Sequence, residues 1–229
     1  MKFKEILKKR YFIIYFILNK KIPLIVRILI FDDVEILDVA GPFEVFAVTR
    51  LSEEQRLQQS SSPFKVYLIA EKDKQVLAIG GLRLTPDVTI SNCPKLDLLI
   101  IPGGWGTRKE SKNKILLNWI RNQCNPIGTH DKLIASVCTG SSLLGKAGLL
   151  DGRDATTHWR AFDFLEKSAP KTRILKDVRF TLTEPIFTSA GVSAGIDLAL
   201  RIVSRFFGTE VGQATARQME YPYPISDQR

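Results

Sequence analysis

Short apolar runs recur along the chain and alternate with segments whose apolar residues have helical spacing. Residues 24–31 (LIVRILIF) form a nearly unbroken aliphatic run, which is typical of a parallel strand buried on both faces. Similar patterns predict strands at residues 65–70, 96–101, 133–137, 155–157, 173–175, 180–183 and 186–188. Gly80, Gly81 and Pro86 predict short strands or a hairpin within residues 76–90.

Between the predicted strands lie segments whose apolar residues recur at helical spacing, and these predict helices on both faces of the sheet that the strands form. They fall at residues 38–49, 115–120, 139–150, 161–167 and 195–207, and the last has the clearest apolar stripe. Pro42 is expected in the first turn of its helix. Alternating strands and helices indicate an α/β fold, a flavodoxin-like sandwich with a mostly parallel sheet and helices on both faces. Residues 23–229 contain no linker-like segment, so we predict one domain there.

The charge of the chain is concentrated at its start. Of the formal net charge of +9, seven basic residues against Glu5 place +6 within residues 1–21, so the body carries about +3 and does not indicate a nucleic-acid partner. The apolar run at residues 11–18 is far shorter than the about 20 residues that span a bilayer. We therefore interpret residues 1–22 as a basic, apolar N-terminal extension without stable membrane insertion, and an interfacial anchor stays open as an alternative.

The metal-binding residue types are sparse. Three cysteines without CxxC spacing and two histidines make a structural zinc site improbable, so no metal is expected. An odd number of scattered thiols is typical of the reducing cytoplasm, where we place the protein.

Three segments that follow predicted strands contain residue types suited to catalysis or binding. Pro102-Gly103-Gly104 follows the strand at 96–101, Cys138 follows the strand at 133–137, and Asp38 comes soon after the strand at 24–31. Ligands of such sheets bind outside the carboxyl ends of the strands. We therefore expect these segments to meet in one site.

Cys138 stands between a strand and a helix, where a side chain points out of the sheet as nucleophile elbows do. The helix N-terminus is expected to lower the pKa of the Cys138 thiol and yield a nucleophilic thiolate. Gly103 allows close backbone approach, and the Gly104 amide is a candidate second donor to a charged intermediate. The alternative is a buried structural cysteine, which we also consider the better interpretation of Cys93 and Cys124.

Asp38 can hydrogen-bond to the thiol and move protons, although a helix N-cap is an alternative role. His158 and Trp159 are candidate pocket-lining residues, with a structural hydrogen-bonding role as the alternative for His158. Thr139, and not a histidine, follows Cys138, so no Cys-His dyad can form from adjacent positions. Peptide hydrolysis is therefore disfavoured.

Five motifs carry a resemblance to a known family. They are LDVAGP at 37–42, LDLLIIPGG at 96–104, SVCTGS at 136–141, AGLLDGRDATTHW at 147–159 and TSAGVSAGIDL at 188–198. In this order they resemble the ThiJ/PfpI superfamily, which is related to class I glutamine amidotransferases, and most closely its isonitrile hydratase branch. The resemblance covers about residues 25–221. AraC-type regulators carry a similar domain followed by a helix-turn-helix region, whereas this sequence ends at Arg229, eight residues after Tyr221, so we expect an enzyme or a stand-alone sensor.

The resemblance implies that Cys138 is the nucleophile, Asp38 its acidic partner and Thr139 a contributor to the thiol environment. It implies attack of the thiolate on an isonitrile to give a thioimidate, from which water releases an N-substituted formamide. A small-molecule substrate, no metal or organic cofactor and a homodimer are also implied. Two alternatives stay open: a stand-alone ligand or redox sensor whose thiol oxidises to sulfinate, and glyoxalase- or deglycase-like chemistry.

Overall fold

A seven-stranded sheet organises the structure, a computed structural model that describes residues 23–124 and 132–222. The predicted extension at residues 1–22 lies outside the described residues. The strands are β1 (Leu24–Leu29), β2 (Phe64–Ala70), β3 (Val76–Leu77), β4 (Arg83–Leu84), β5 (Val88–Thr89), β6 (Leu98–Ile101), β7 (Leu133–Ser136), β8 (Asp154–Ala155), β9 (Arg173–Ile174), β10 (Phe180–Thr183) and β11 (Ile186–Ser189).

The strand order of the main sheet is β10-β11-β7-β6-β1-β2-β5. Every neighbouring pair is parallel except β10 and β11, which form an antiparallel hairpin. The predicted mostly parallel sheet is therefore confirmed. The predicted hairpin within residues 76–90 is the antiparallel pair β3 and β4, and β8 pairs with β9 in a separate two-stranded sheet.

Eight α-helices surround the sheet within the described residues. They are α1 (Ile36–Val48), α2 (Glu53–Leu57), α3 (Thr107–Glu110), α4 (Lys114–Gln123), α5 (Gly140–Lys146), α6 (Phe162–Ser168), α7 (Ala194–Phe207) and α8 (Thr209–Gln218). Helix α1 packs against α7 and α8, whereas α5 contacts α3, α4 and α6. On the first side, the ring of Phe64 on β2 lies 4.9 Å from that of Phe46 and 5.3 Å from that of Phe207.

Helix α1 begins earlier than the sequence pattern predicts. Its first residue is Ile36, and Glu35 is the N-cap without a side-chain capping bond. Pro42 therefore lies in the second turn, so its expected place in the first turn is wrong. Because proline has no N–H, the carbonyl of Asp38 receives no helical hydrogen bond from position 42. The buried apolar face of α1 against α7 holds the helix despite this missing bond.

The strand order fixes the place of the site. From β1 the chain moves to β2 on one side, and β6 and β7 lie on the other side. The order therefore reverses between β1 and β6, and a crevice opens there at the carboxyl ends of the strands. Helix α1 follows β1, the Gly103-Gly104 segment follows β6, and Cys138 follows β7.

Candidate active site

Cys138 occupies a sharp turn between β7 and α5. Its φ is 56°, in the left-handed region that is uncommon for residues with a side chain. The Cys138 amide donates to the carbonyl of Ala190 at 3.0 Å, and its own carbonyl accepts from the hydroxyls of Thr157 at 2.9 Å and Ser141 at 3.1 Å. These three bonds hold the strained backbone, which is characteristic of functional sites. The sharp turn expected from the sequence is present.

Asp38 lies in the first turn of α1 and is fully buried. Its Oδ2 accepts the amide hydrogen of Gly103 at 2.8 Å, and its Oδ1 has no hydrogen-bond partner among the described residues. Burial raises the pKa of Asp38 to about 8, and the charge of Glu35 adds to this effect. The Gly103 amide, the Val192 amide and the Cys138 thiol act in the opposite direction. Asp38 is therefore not the N-cap, and it holds its proton near neutral pH.

The thiol of Cys138 differs from the sequence expectation. Its pKa is raised to about 12, mainly by burial and then by the charge of Asp38, although the Thr139 backbone N–H and hydroxyl act in the lowering direction. The expected lowering of the Cys138 pKa is therefore wrong in this structure. The physical reason is that the residue is only 6% exposed and lies beside an acid, and these two effects outweigh the neighbouring amide.

Cys138 and Asp38 nevertheless form one proton-sharing pair. If the thiol proton moves to an ionised Asp38, a thiolate forms beside a neutral carboxylic acid, and the pair carries one negative charge before and after the transfer, so the two groups never repel each other as two anions. The neutral acid can then hydrogen-bond to the sulfur. The site can thus generate a nucleophile by internal proton transfer without a thiol of low intrinsic pKa.

The glycines after β6 bring the loop against Cys138 and Thr139. A Cβ added at Gly103 would lie 2.5 Å from the Thr139 nitrogen and 2.7 Å from the Cys138 Cβ, so only glycine fits. The Gly104 amide donates to the Thr139 hydroxyl at 3.0 Å, and the Gly103 amide donates to Asp38. Both amides are thus occupied within the protein. This differs from the expected role of Gly104 as a donor to the intermediate, because the two amides position the acid and the hydroxyl.

His158 and Trp159 lie differently with respect to the loop after β11. A Cβ added at Gly191 would lie 2.1 Å from His158 Cδ2, so the imidazole packs on the loop whose Ala190 carbonyl holds Cys138. Trp159 is 59% exposed, with the guanidinium of Arg160 4.5 Å from its ring centroid. Contact of either side chain with a substrate stays a prediction.

Two further side chains belong to the site but carry no signal that the sequence analysis used. The buried hydroxyl of Thr107 donates to the Gly104 carbonyl at 2.8 Å and lies 3.1 Å from the Thr139 hydroxyl oxygen. Its position three residues after Gly104, at the first residue of α3, is a pattern that could have indicated it. Glu35 raises the pKa of both Asp38 and Cys138 by its charge; it is the N-cap of the helix that carries Asp38, but only the fold brings it near Cys138.

The described residues contain no group of three or more histidine, cysteine, aspartate or glutamate side chains that could hold a metal ion. Within the same part of the chain, no helix has both the length and the apolar character needed to cross a membrane.

Comparison with known proteins identifies the family of this site. The model of the DJ-1/PfpI family matches residues 25–205. The chain belongs to the DJ-1/PfpI family. This confirms the ThiJ/PfpI resemblance expected from the five motifs, and the matched segment contains Asp38, Gly103, Cys138 and His158.

Named relatives of this chain include both an enzyme and transcriptional regulators. The chain is 34% identical to an isonitrile hydratase of Pseudomonas putida over 87% of this chain and 79% of the relative. It is 29% identical to the HTH-type transcriptional regulator GbdR of Pseudomonas aeruginosa, over 69% of this chain but only 41% of the regulator. A crystal structure of a ThiJ/PfpI family protein from Pseudomonas syringae superposes with a TM-score of 0.72 at 28% identity, covering 90% of this chain and 81% of that one.

Proposed function

We propose that this protein is an isonitrile hydratase-like lyase in which Cys138 is the nucleophile. The observation that carries the proposal is that Cys138 and Asp38 form a buried pair. Cys138 lies on a strained turn, and the Asp38 carboxyl lacks a cation partner among the described residues. The similarity to an isonitrile hydratase over most of both chains supports the same substrate class. An isonitrile is a neutral electrophile with a linear R–N≡C group, which suits a largely buried thiol.

The proposed reaction begins with the bond between Cys138 Sγ and the terminal carbon of the isonitrile, R–N≡C. The ionised form of Asp38 takes the thiol proton and delivers it to that carbon, which gives the thioimidate R–N=CH–S. A pKa of about 8 for Asp38, which results mainly from burial, is close to the working pH and so suits both acceptance and donation of a proton.

Water completes the proposed cycle. It adds to the thioimidate carbon while a proton reaches the nitrogen through Asp38, and R–NH–CH(OH)–S results. The C–S bond then breaks, the sulfur regains a proton from the hydroxyl group, and R–NH–CHO leaves. Thr139 contributes its backbone N–H and hydroxyl to the sulfur, and both lower the pKa of Cys138 against the larger effects of burial and the Asp38 charge.

A direct assay tests the proposal. Cyclohexyl isonitrile is incubated with the protein, and N-cyclohexylformamide is measured by mass spectrometry. We expect turnover by the wild type, loss of at least about 10³-fold in Cys138→Ala, and a wild-type rate in the matched control Cys93→Ala, whose thiol lies outside the site. Formamide production by Cys138→Ala would refute the nucleophile, and no formamide from the wild type would refute the substrate class.

A ligand-sensing domain is the second candidate function. The similarity to a transcriptional regulator over 69% of this chain supports it. Isonitrile or another small molecule would then bind without turnover, which calorimetry beside the formamide assay distinguishes. Sensing by oxidation of Cys138 to sulfinate is less well supported, because burial and the Asp38 charge raise the pKa of the thiol to about 12.

The remaining proposals follow the family assignment. Consumption of methylglyoxal, measured in the same protein samples, tests glyoxalase- or deglycase-like chemistry. We also propose a homodimer, which light scattering on the purified chain tests, and a site that works without metal or organic cofactor, which activity after exhaustive chelation and dialysis tests.

A further inference from the structure

Two segments of the chain contact the turn at Cys138 and Thr139. In the segment after β6, the Thr107 hydroxyl lies 3.1 Å from the Thr139 hydroxyl oxygen. In the segment before α6, the Thr157 hydroxyl donates to the Cys138 carbonyl at 2.9 Å. The first segment continues directly into α3, and the second reaches α6 after a short 3₁₀ turn. Side chains at the start of α3 and of α6 therefore border the same site.

Helix α6 begins near the end of α5 that is closest to Cys138. Thr157, shortly before α6, bonds to Cys138, shortly before α5. A Cβ added at Gly145, close to the other end of α5, would lie 2.7 Å from the Cβ of Ala169, which directly follows α6. The two helices therefore run side by side in the same direction. Phe164, in the first turn of α6, is thus on the side of the site.

The side chain of Arg108 spans the gap between these two segments. Its guanidinium carbon lies 4.2 Å from the centroid of the Trp105 ring and 5.2 Å from that of the Phe164 ring. Both distances are in the range of cation–π contacts. Thr107 and Cys138 are buried, whereas Arg108 is exposed and Trp105 is 67% exposed. The stacked side chains therefore lie at the solvent end of the site.

The positive charge of Arg108 is not neutralised within the described part of the chain. Its guanidinium forms no ion pair and no hydrogen bond with the residues described there. Lys109 and Lys112 line the same open cleft as Arg108, and the carboxylate of Glu110 in this cleft accepts a hydrogen bond from the Asn113 amide. The local potential is therefore positive, and a positive potential attracts anions.

The stacking of Arg108 determines which kind of anion it suits. Rings that cover the faces of a guanidinium leave its edge free, and this edge presents N–H donors in a planar fork that matches the two oxygens of a carboxylate. The Trp105 and Phe164 rings also hold the Arg108 side chain in place. Less conformational entropy is then lost when a carboxylate binds.

We propose that Arg108 binds a carboxylate group of the substrate, so that the preferred isonitriles carry a carboxylate on their R group. The inference rests on the proposed function, since it names the substrate class of the same site. Isocyanoacetate is the smallest such compound, and addition of one water molecule converts it to N-formylglycine. Arg108 would bind the part of the substrate that does not react and so determine specificity. Neutral isonitriles, such as cyclohexyl isonitrile, are then expected to have a higher KM.

A matched pair of substrates tests the inference. Isocyanoacetate and its methyl ester carry the same reacting group but differ in charge, and kcat/KM for formamide production is measured for both. From wild type to Arg108→Gln, we expect the anion-to-ester ratio of kcat/KM to fall about tenfold, mainly through a higher KM for the anion, because a hydrogen-bonded ion pair is lost. Arg108→Lys keeps the charge but not the planar fork and should give an intermediate ratio. The matched control Arg217→Gln removes an exposed arginine of α8 and should leave the ratio unchanged.

Binding of the product class separates this inference from the proposed function. Calorimetry with N-formylglycine and its methyl ester needs no turnover, and we expect the anion-to-ester ratio of affinities to fall about tenfold in Arg108→Gln. If this ratio falls while no isonitrile is hydrated, the inference holds and the proposed function fails. If formamide is produced but neither ratio changes in Arg108→Gln, the inference fails and the proposed function stands.

Two further results would overturn the inference. One is an equal loss with the anion and the ester in Arg108→Gln, which would mean that Arg108 only connects Trp105 to Phe164. The other is a wild type that neither hydrates isocyanoacetate nor binds N-formylglycine. Because Arg108 is exposed, Arg108→Gln is expected to fold, and Arg108→Lys allows the same comparison if it does not.

Discussion

Two buried aspartates show what a cation partner does to a carboxylate. Asp197 on α7 is 3% exposed, forms an ion pair with Arg179, and accepts the Tyr221 hydroxyl at 2.9 Å. Asp38 on α1 is fully buried, but it has only the Gly103 amide as a hydrogen-bond donor in normal geometry among the described residues. Both lie at the start of a helix on the same side of the sheet, so their surroundings, and not their location, distinguish them.

The presence or absence of a cation partner suits the two aspartates to different roles, one structural and one chemical. The carboxylate of Asp197 is compensated by a guanidinium and a phenol, and it connects α7 to the segment before β10 and to the last described residues. Asp38 has no such compensation, and its burial raises its pKa to about 8. A carboxyl group that gains and loses a proton near neutral pH suits acid-base chemistry. A carboxylate held in an ion pair instead suits a structural role, because it connects segments of the chain noncovalently.

The largest expected effect is the loss of activity in Asp38→Asn. Asparagine keeps an oxygen for the Gly103 amide but cannot carry the proton between sulfur and substrate. Formamide production in the isonitrile assay should fall by about 10²- to 10⁴-fold, the usual contribution of general acid-base catalysis. The variant should still fold, since asparagine is close in shape to the buried and mostly protonated Asp38 carboxyl group, which has no cation partner among the described residues. A rate within threefold of the wild type would show that Asp38 does not move protons.

Asp197→Asn should lower stability and leave activity nearly unchanged, the reverse of what we expect for Asp38→Asn. The change leaves Arg179 without its anionic partner and weakens the bond to Tyr221. We expect a loss of about 2 kcal/mol in the free energy of unfolding by urea, as for hydrogen bonds to charged groups, and formamide production close to wild type. The matched control is Asp154→Asn, because the Asp154–Arg173 ion pair is solvent-exposed and should contribute little. If Asp197→Asn lost activity but not stability, the distinction between the two aspartates would be wrong.

The fold could be predicted from the sequence because its signals are local. Aliphatic runs indicate β1, β6 and β7 whatever lies around them. The predicted run at 96–101 begins two residues before β6, whereas the runs at 24–31 and 133–137 continue past the carboxyl ends of β1 and β7 by two residues and one. At those ends the chain leaves the sheet to build the site. Helices α2 and α3 are short, and α8 (TEVGQATARQ) has few large apolar residues, so none of the three gave a clear stripe.

The sequence could predict which residues meet in the site, but not their pKa values or their contacts. The strand ends indicate that Cys138, Asp38 and the Gly103-Gly104 segment meet, and the structure brings them together. The direction of the Cys138 pKa could not be predicted, because it depends on how far the sulfur is buried and how near Asp38 lies. The hydroxyl of Thr107 reaches Thr139, 32 positions away, only through the fold.

The smallest expected effect is a pH dependence of stability that Asp38 causes. In the folded protein burial raises the pKa of Asp38 to about 8, above its ordinary value of 3.8. Between these values the unfolded chain loses the proton and the folded protein keeps it, so the folded state becomes less stable as the pH rises from about 4 to 8. The slope is at most about 1.4 kcal/mol per pH unit, which gives about 1 kcal/mol between pH 6 and pH 7. Urea unfolding of wild type and Asp38→Asn at both pH values isolates this contribution, because the other titrating groups are shared. A steeper or equal decline in Asp38→Asn would mean that Asp38 is ionised in the folded protein and that its burial is compensated as fully as that of Asp197.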